Sequence, residues 1–299
     1  MKIGFIGDLH MDYNTHHDFL AEFTRVCKNL TLDALVFCGD TTTGAFGSLD
    51  FYNDLSKNVS TKILEIPGNH ELYCTAGRNK RKKNEDLCFD ADEYLELMLG
   101  HPIYSLCLHP IVHGDWVIIG SPSWYDFSLH RKYHHMSEAT KRHFLRRCPE
   151  YKYVLTDEDN PRINEEITAQ SLDFMERQLK TIRERPNGDH YKICSVIHML
   201  PRPELYKQSH VWGTTIAFMG SKYYAELYEK YGVDTCICAH SHIRMEMERN
   251  GVYYVNVSLG HNFKWKHKTS LYQEVLDTMY IMDIYSLTAV QHCCTAVRL

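Results

Sequence analysis

Five short apolar runs in this chain stop on a chemically active side chain, and that recurrence constrains the fold more than any other feature. Lys2 to Gly7 ends at Asp8-Leu9-His10, Ala34 to Cys38 at Gly39-Asp40, and Lys62 to Ile66 at Pro67-Gly68-Asn69-His70-Glu71. Tyr191 to Ile197 runs into His198, and Asp234 to Cys238 into Ala239-His240-Ser241-His242. Runs this short, bounded by glycine, proline or aspartate, read as strands buried on both faces. Between the first two, Phe19, Leu20, Phe23, Val26 and Cys27 recur at helical spacing, so the chain opens with a βαβ unit.

The rest of the chain is read the same way. Asp115 to Gly120 is a strand leading to Trp124 and Tyr125. Asn164 to Arg185, with Ile167, Leu172, Met175, Leu179 and Ile182 in register, is a long amphipathic helix closed by Pro186-Asn187-Gly188. Val252 to Val257, Met279 to Tyr285 and Leu287 to His292 are late strands, and a second sheet mixing early and late segments is expected. Residues 77 to about 190 are less regular, with a polar charge run from Arg78 to Asp86 read as a loop. They are expected to form an insert or cap on a single domain spanning 1–299.

At 299 residues the chain can bury a large core without disulfides. Lys+Arg at 33 against Asp+Glu at 38 leaves a net charge of −5, so no overall field attracts nucleic acid or an anionic membrane. Nucleic acid is therefore a possible but disfavoured partner, and a small phosphate ester is preferred. Eleven scattered cysteines, an odd number, read as free buried thiols in a reducing compartment, and the pair Cys293-Cys294 is assigned no function. The apolar stretch Ile3 to Ile6 is too short for a secretory signal, and no segment approaches the roughly 20 apolar residues of a membrane span. A cytoplasmic, membrane-free protein is expected, with its oligomeric state open.

The strand ends offer carboxylates, imidazoles and an amide. Two divalent ions roughly 3.5–4 Å apart need such a mixed oxygen and nitrogen set with one bridging carboxylate. Asp40 is the natural bridge; Asp8, His10 and His242 complete one site, and Asn69, His198 and His240 the other. Each element alone is a turn or cap signal, and His198 alone would read as a core histidine. Five in order form a ligand set.

This order, D-x-H, GD, GNH[D/E], H and G-H-x-H, resembles the calcineurin-like metallophosphoesterase family over Asp8 to His242. The resemblance implies an α/β fold, an αββα four-layer sandwich of two central mixed β-sheets with a dinuclear metal site at the strand ends. Two divalent ions, Mn, Fe or Zn, are implied as cofactors. It also implies that His70, beside the asparagine ligand, approaches the phosphate as the catalytic acid. Ala239 stands where the family has glycine, a change that touches the turn but removes no ligand. His261 lies where the family chain passes the site and is kept outside the ligand set.

The function expected is hydrolysis of a phosphate ester by water activated between two metals, with a phosphodiester or nucleotide-like substrate preferred. His70 would protonate the leaving oxygen, oriented by Glu71 or Asp12. Protein phosphatases of the family carry Gly-Asp-x-x-Asp-Arg-Gly, whereas this chain has Gly39-Asp40-Thr41-Thr42-Thr43-Gly44 and lacks the arginine. Phosphomonoesterase or protein phosphatase is the alternative within the class, and a non-catalytic metal-binding scaffold the alternative outside it. Tyr125, His130 and Arg131 are expected substrate contacts, in a segment whose plainer reading is a solvated basic helix. Trp212, Trp265 and Phe263 could line the pocket, and their plainer reading is as core aromatics.

Overall fold

Alternation along the strands sets the layering. The computed structural model describes residues 1–72, 91–132, 135, 137–145, 163–206 and 214–285. The charge run at 78–86, the strand expected at 287–292, His134, Trp212, Cys293 and Cys294 lie outside them. In β1 (Lys2–Ile6), Ile3 and Phe5 belong to one buried cluster and Ile6 to another. β1 pairs in parallel with β2 (Ala34–Phe37), β2 with β3 (Lys62–Glu65), and β3 with β4 (Tyr104–Ser105).

The second sheet holds β5 (Ile111–His113), β6 (Trp116–Gly120), β7 (Lys192–Val196) and β8 (Thr235–Cys238), followed by β10 (Val252–Asn256) and then β9 (Met245–Arg249) at the edge. Its four inner strands are parallel. β11 (Tyr280–Asp283) runs antiparallel to β1 and completes the first sheet in the order β11-β1-β2-β3-β4. Ile3, Phe5, Val36 and Leu64 meet Ile118, Val196, Ile237 and Val255 between the two sheets.

Outside the first sheet, α1 (Phe19–Leu30), α2 (Ala45–Asn58) and α7 (Leu271–Thr278) bury Phe23, Val26, Leu49, Leu55 and Val275 against Leu35 and Phe37. Asp18 starts α1 by accepting the Ala21 N–H at 3.0 Å, which satisfies one of the unpaired donors of its first turn. Outside the second sheet, α5 (Ile163–Arg183) and α6 (Lys222–Tyr231) pack Met175, Leu179, Tyr224 and Tyr228 on Val117, Ile119 and Cys236. Two short helices, α3 (Ala91–Met98) and α4 (Glu138–Leu145), complete the set among the described residues. Helix, sheet, sheet, helix is the expected αββα sandwich.

One expectation changes. Early and late strands mix in the first sheet, because β11 seats on the free edge of β1. Residues 104–120 supply β4 to one sheet and β5 and the expected strand β6 to the other; β4 and β5, of two and three residues, are too short to show periodicity. The edge strand β9, MEMER, carries charges that hide it. It joins β10 through Asn250 (φ 52°) and Gly251 (φ 79°), left-handed at both positions as a tight hairpin turn requires. The six described cysteines are free and buried. Among the described residues no helix is long and apolar enough to cross a membrane.

Candidate metal centre

Parallel strands of both sheets bring their carboxyl ends together, and the side chains just past those ends converge. His198 Nε2 lies 3.3 Å from Asp40 Oδ2, 3.1 Å from Asn69 Oδ1 and 3.2 Å from His240 Nδ1. His10 Nε2 faces His242 Nε2 at 2.8 Å and lies 3.8 Å from Asp40 Oδ2. Ligand-type atoms of Asp8, His10 and His242 lie within 4.8 Å of one another, as do those of Asp40, His198 and His240. Asp40 thus touches both groups.

The backbone is bent to do this. Asp8 (φ 57°), His10 (φ 42°), Asp40 (φ 55°), His240 (φ 67°) and His242 (φ 54°) all sit in the left-handed region, which costs a residue with a Cβ roughly 1 kcal/mol or more. Such strain clusters where tertiary structure holds a side chain in a set place. Gly68 allows the closest approach: a Cβ there would come 2.3 Å from Asp40 Oδ1. Ala239 is not left-handed, so its methyl does not strain the turn; it packs where Gly7 leaves space, 2.8 Å from a Cβ built on Gly7.

Glu71 makes the scaffold. Its Oε2 accepts the backbone N–H groups of Asp40 and Gly68, both at 2.8 Å, and its Oε1 accepts the Thr41 N–H at 2.7 Å and the Ser48 hydroxyl at 2.9 Å. One buried carboxylate therefore ties the loop after β2 to the loop after β3. It does not orient His70, one of the two roles weighed from sequence. His70 Nδ1 instead meets Thr43 Oγ1 at 3.3 Å, and that hydroxyl donates to Asp12 Oδ2 at 2.7 Å. His70 Nε2 faces Asp40 Oδ2 at 3.9 Å.

The donor set fits divalent cations. Asp8 is completely buried, yet among the described residues neither of its oxygens accepts a hydrogen bond; the hydroxyl beside it, Ser258, donates to Asn256 Oδ1 at 2.6 Å. A buried carboxylate left like this is costly unless a cation meets it. Burial pushes Asp8 up to about 7 and lowers His240 and His242 to about 3, so these imidazoles are neutral and keep a lone pair. Burial also opposes the charge on His198, but Asp40 beside it overcomes this and pushes it up to about 9. Cation binding at Nε2 would displace that proton.

Backbone carbonyls choose the ligating atoms. His198 Nδ1 donates to Cys38 O at 2.8 Å, which leaves Nε2 for the centre. His240 Nε2 donates to Phe218 O at 3.3 Å, which leaves Nδ1. Hydrogen bonds of this kind behind a ligand fix its ring and tautomer.

The expected substrate contacts fare differently. Tyr125 is fully buried, packed on Trp124, Phe127 and Phe218, so the structure places it in the core instead of on an open wall. His130 is half-buried with Nδ1 accepting the Lys132 N–H at 3.1 Å, and Arg131 is exposed. Neither enters the cluster around Asp40 described above. Trp265 is a core aromatic as read, but Phe263 is exposed. His261, kept outside the ligand set, lies with its ring centroid 5.0 Å from His10 and 4.8 Å from His242.

The crystal structure of phosphopantetheinyl hydrolase from Mycobacterium tuberculosis superposes with a TM-score of 0.66 at 16% identity, covering 90% of this chain and 93% of that one. A dimetal phosphatase from Danio rerio gives a TM-score of 0.47 at 15% identity, with 86% of each chain covered. At 16% identity the likeness to the first of these is one of fold. No curated protein sequence matches. A family model described as calcineurin-like phosphoesterase matches residues 1–244, the stretch that contains every candidate ligand from Asp8 to His242, and the chain accordingly belongs to that family of phosphoester hydrolases.

Proposed function

We propose that the chain hydrolyses a small phosphodiester or nucleotide-like ester, with Asp8, His10 and His242 holding one divalent ion, Asn69, His198 and His240 a second, and Asp40 shared between them. Members of the family typically bind divalent metals. The observation that carries the reading is the convergence of Asp8's two unmet oxygens with the facing imidazole nitrogens of buried His10 and half-buried His242. When bound, the ions supply positive charge for the phosphoryl oxygens and acidify water.

The chain's own residues do the rest. Thr43 accepts from His70 Nδ1–H while donating to Asp12, so His70 is held with Nε2 toward the centre, from which a doubly protonated ring would pass its Nε2 proton to the leaving oxygen and keep the one on Nδ1. Thr43 stands where the protein-phosphatase pattern has aspartate, ahead of its arginine, and no guanidinium accompanies it in the Gly39 to Gly44 sequence. The Asp12 carboxylate on this side disfavours a substrate with further negative charge near the leaving group, which supports a diester over a monoester dianion.

The test is to strip metal with chelator, restore Mn²⁺ or Zn²⁺, and compare bis-p-nitrophenyl phosphate with p-nitrophenyl phosphate, with Asp40→Ala as the control. Metal-dependent diester cleavage lost in the control supports the proposal. Faster monoester cleavage would overturn the diester preference, and no cleavage with two ions bound would overturn the assignment.

A further inference from the structure

Aromatic side chains stand exposed where the strand ends meet solvent. Tyr13 is 60% exposed and Phe263 65% exposed, and both contact the ring of His261. Tyr13 meets it edge-on at 5.3 Å between centroids, and Phe263 lies nearly parallel to it, at 14° and 5.6 Å. His261 in turn adjoins His10 and His242, while Tyr13 lies 6.3 Å from the ring of His70. The rings form a ledge that begins at the candidate ligands and runs outward. Lys264 Nζ, 5.6 Å from the Phe263 centroid, adds positive charge to it.

The ledge is built rather than frayed. Asn14 is completely buried and joins the two loops that carry the rings: its Nδ2 donates to Leu9 O at 2.8 Å and Gly260 O at 3.0 Å, and its Oδ1 accepts the Asn262 N–H at 2.9 Å. Trp265 Nε1 donates to the carbonyls of Leu259 and Gly260 at 3.1 and 3.0 Å, which fixes the same loop from beneath. Rigid aromatic faces at a phosphate site suit a flat ring, because stacking needs little further ordering.

We propose that this ledge binds a planar aromatic group esterified to the phosphate, so that substrates carrying a nucleobase or aryl ring are preferred over purely aliphatic esters. This rests on the phosphoesterase-site reading above, and non-hydrolysable probes separate the two. Protein loaded with Mn²⁺ is titrated by calorimetry with phenylphosphonate and cyclohexylphosphonate, which share an anionic head and differ in the flatness of the ring. Phenylphosphonate is expected to bind roughly 5–150-fold more tightly, the range of one stacked ring. Tyr13→Ala and Phe263→Ala should each carry that ratio toward one, and Tyr13→Phe should keep it. Equal affinity for the two probes, or a ratio that neither alanine variant moves, overturns the ledge alone. Failure of both probes to bind metal-loaded protein overturns the phosphate-site reading, and the ledge with it.

Discussion

Replacing Glu71 by Gln changes one atom of the carboxylate that ties the loop after β2 to the loop after β3. Two orientations of the amide are open. With its NH₂ at the Oε2 position, the N–H groups of both Asp40 and Gly68 lose their acceptor; with NH₂ at the Oε1 position, only the Thr41 N–H does. In the second case Ser48 can turn its hydroxyl to accept, so this orientation wins. The loss is then one hydrogen bond to a charged acceptor, worth about 1.5–3 kcal/mol. Burial raises the Glu71 carboxyl above its ordinary range, and the neutral amide recovers part of that cost, which sets the expected destabilisation near ~2 kcal/mol. Urea unfolding of metal-free protein, read as a midpoint shift at constant slope, measures it. A shift below about 0.5 kcal/mol, the range of an indifferent surface change, would refute the reasoning that this carboxylate braces the site.

Three further outcomes are expected. Burial raises Glu65 from its ordinary 4.5 to about 8, against the hydroxyls of Ser105 and Tyr94 beside it. The folded state therefore holds a proton that the unfolded state releases, so this group's contribution to stability is full below about pH 4.5 and declines toward pH 8, at ~1.4 kcal/mol per pH unit; Glu65→Gln should flatten that slope in urea unfolding at pH 5, 6 and 7, and an unaltered slope would count against a protonated Glu65. Gly68→Ala would place a methyl 2.3 Å from Asp40 Oδ1, and calorimetric titration should show Mn²⁺ affinity reduced about 10–100-fold, whereas unchanged affinity would mean that this close approach does not place Asp40. His70→Ala should lower kcat on an alkyl ester ~10²–10⁴-fold with metal content retained, and less on a nitrophenyl ester whose leaving group needs no acid; equal losses on both esters would argue against proton transfer.

Much of the architecture was legible because strand ends announce themselves. The runs that became β1, β2, β3, β7 and β8 are short, apolar and cut off by glycine, proline or a polar residue, and each structural strand lies within the run read for it. β4 and β5 were not legible, since two or three residues carry no period, and β9 hid behind its charges on a sheet edge. Tyr125, expected on a wall, lies in the core, and Phe263, whose plainer reading is core and whose alternative is the pocket, stands in solvent. Burial of an aromatic depends on what the fold lays against it, and neighbours in sequence do not report that.

The same division runs through the site. By itself the sequence determined which groups stand at the ends of the strands, Asp8, Asp40, Asn69, His198 and His240 among them, because local propensity and the period of burial act over a few residues. Only the tertiary structure decided what those groups meet. Residues as far apart as His10 and His242 face each other because two sheets stack with their carboxyl ends at one edge. Glu71 turned from a partner of His70 into a brace for two loops, and Asp12 reaches His70 through Thr43, across hydrogen bonds whose ends are 31 and 27 residues apart. Those contacts, and the left-handed backbone at Asp8, His10, Asp40, His240 and His242, are unfavourable for an isolated segment and persist because the packed sandwich holds them.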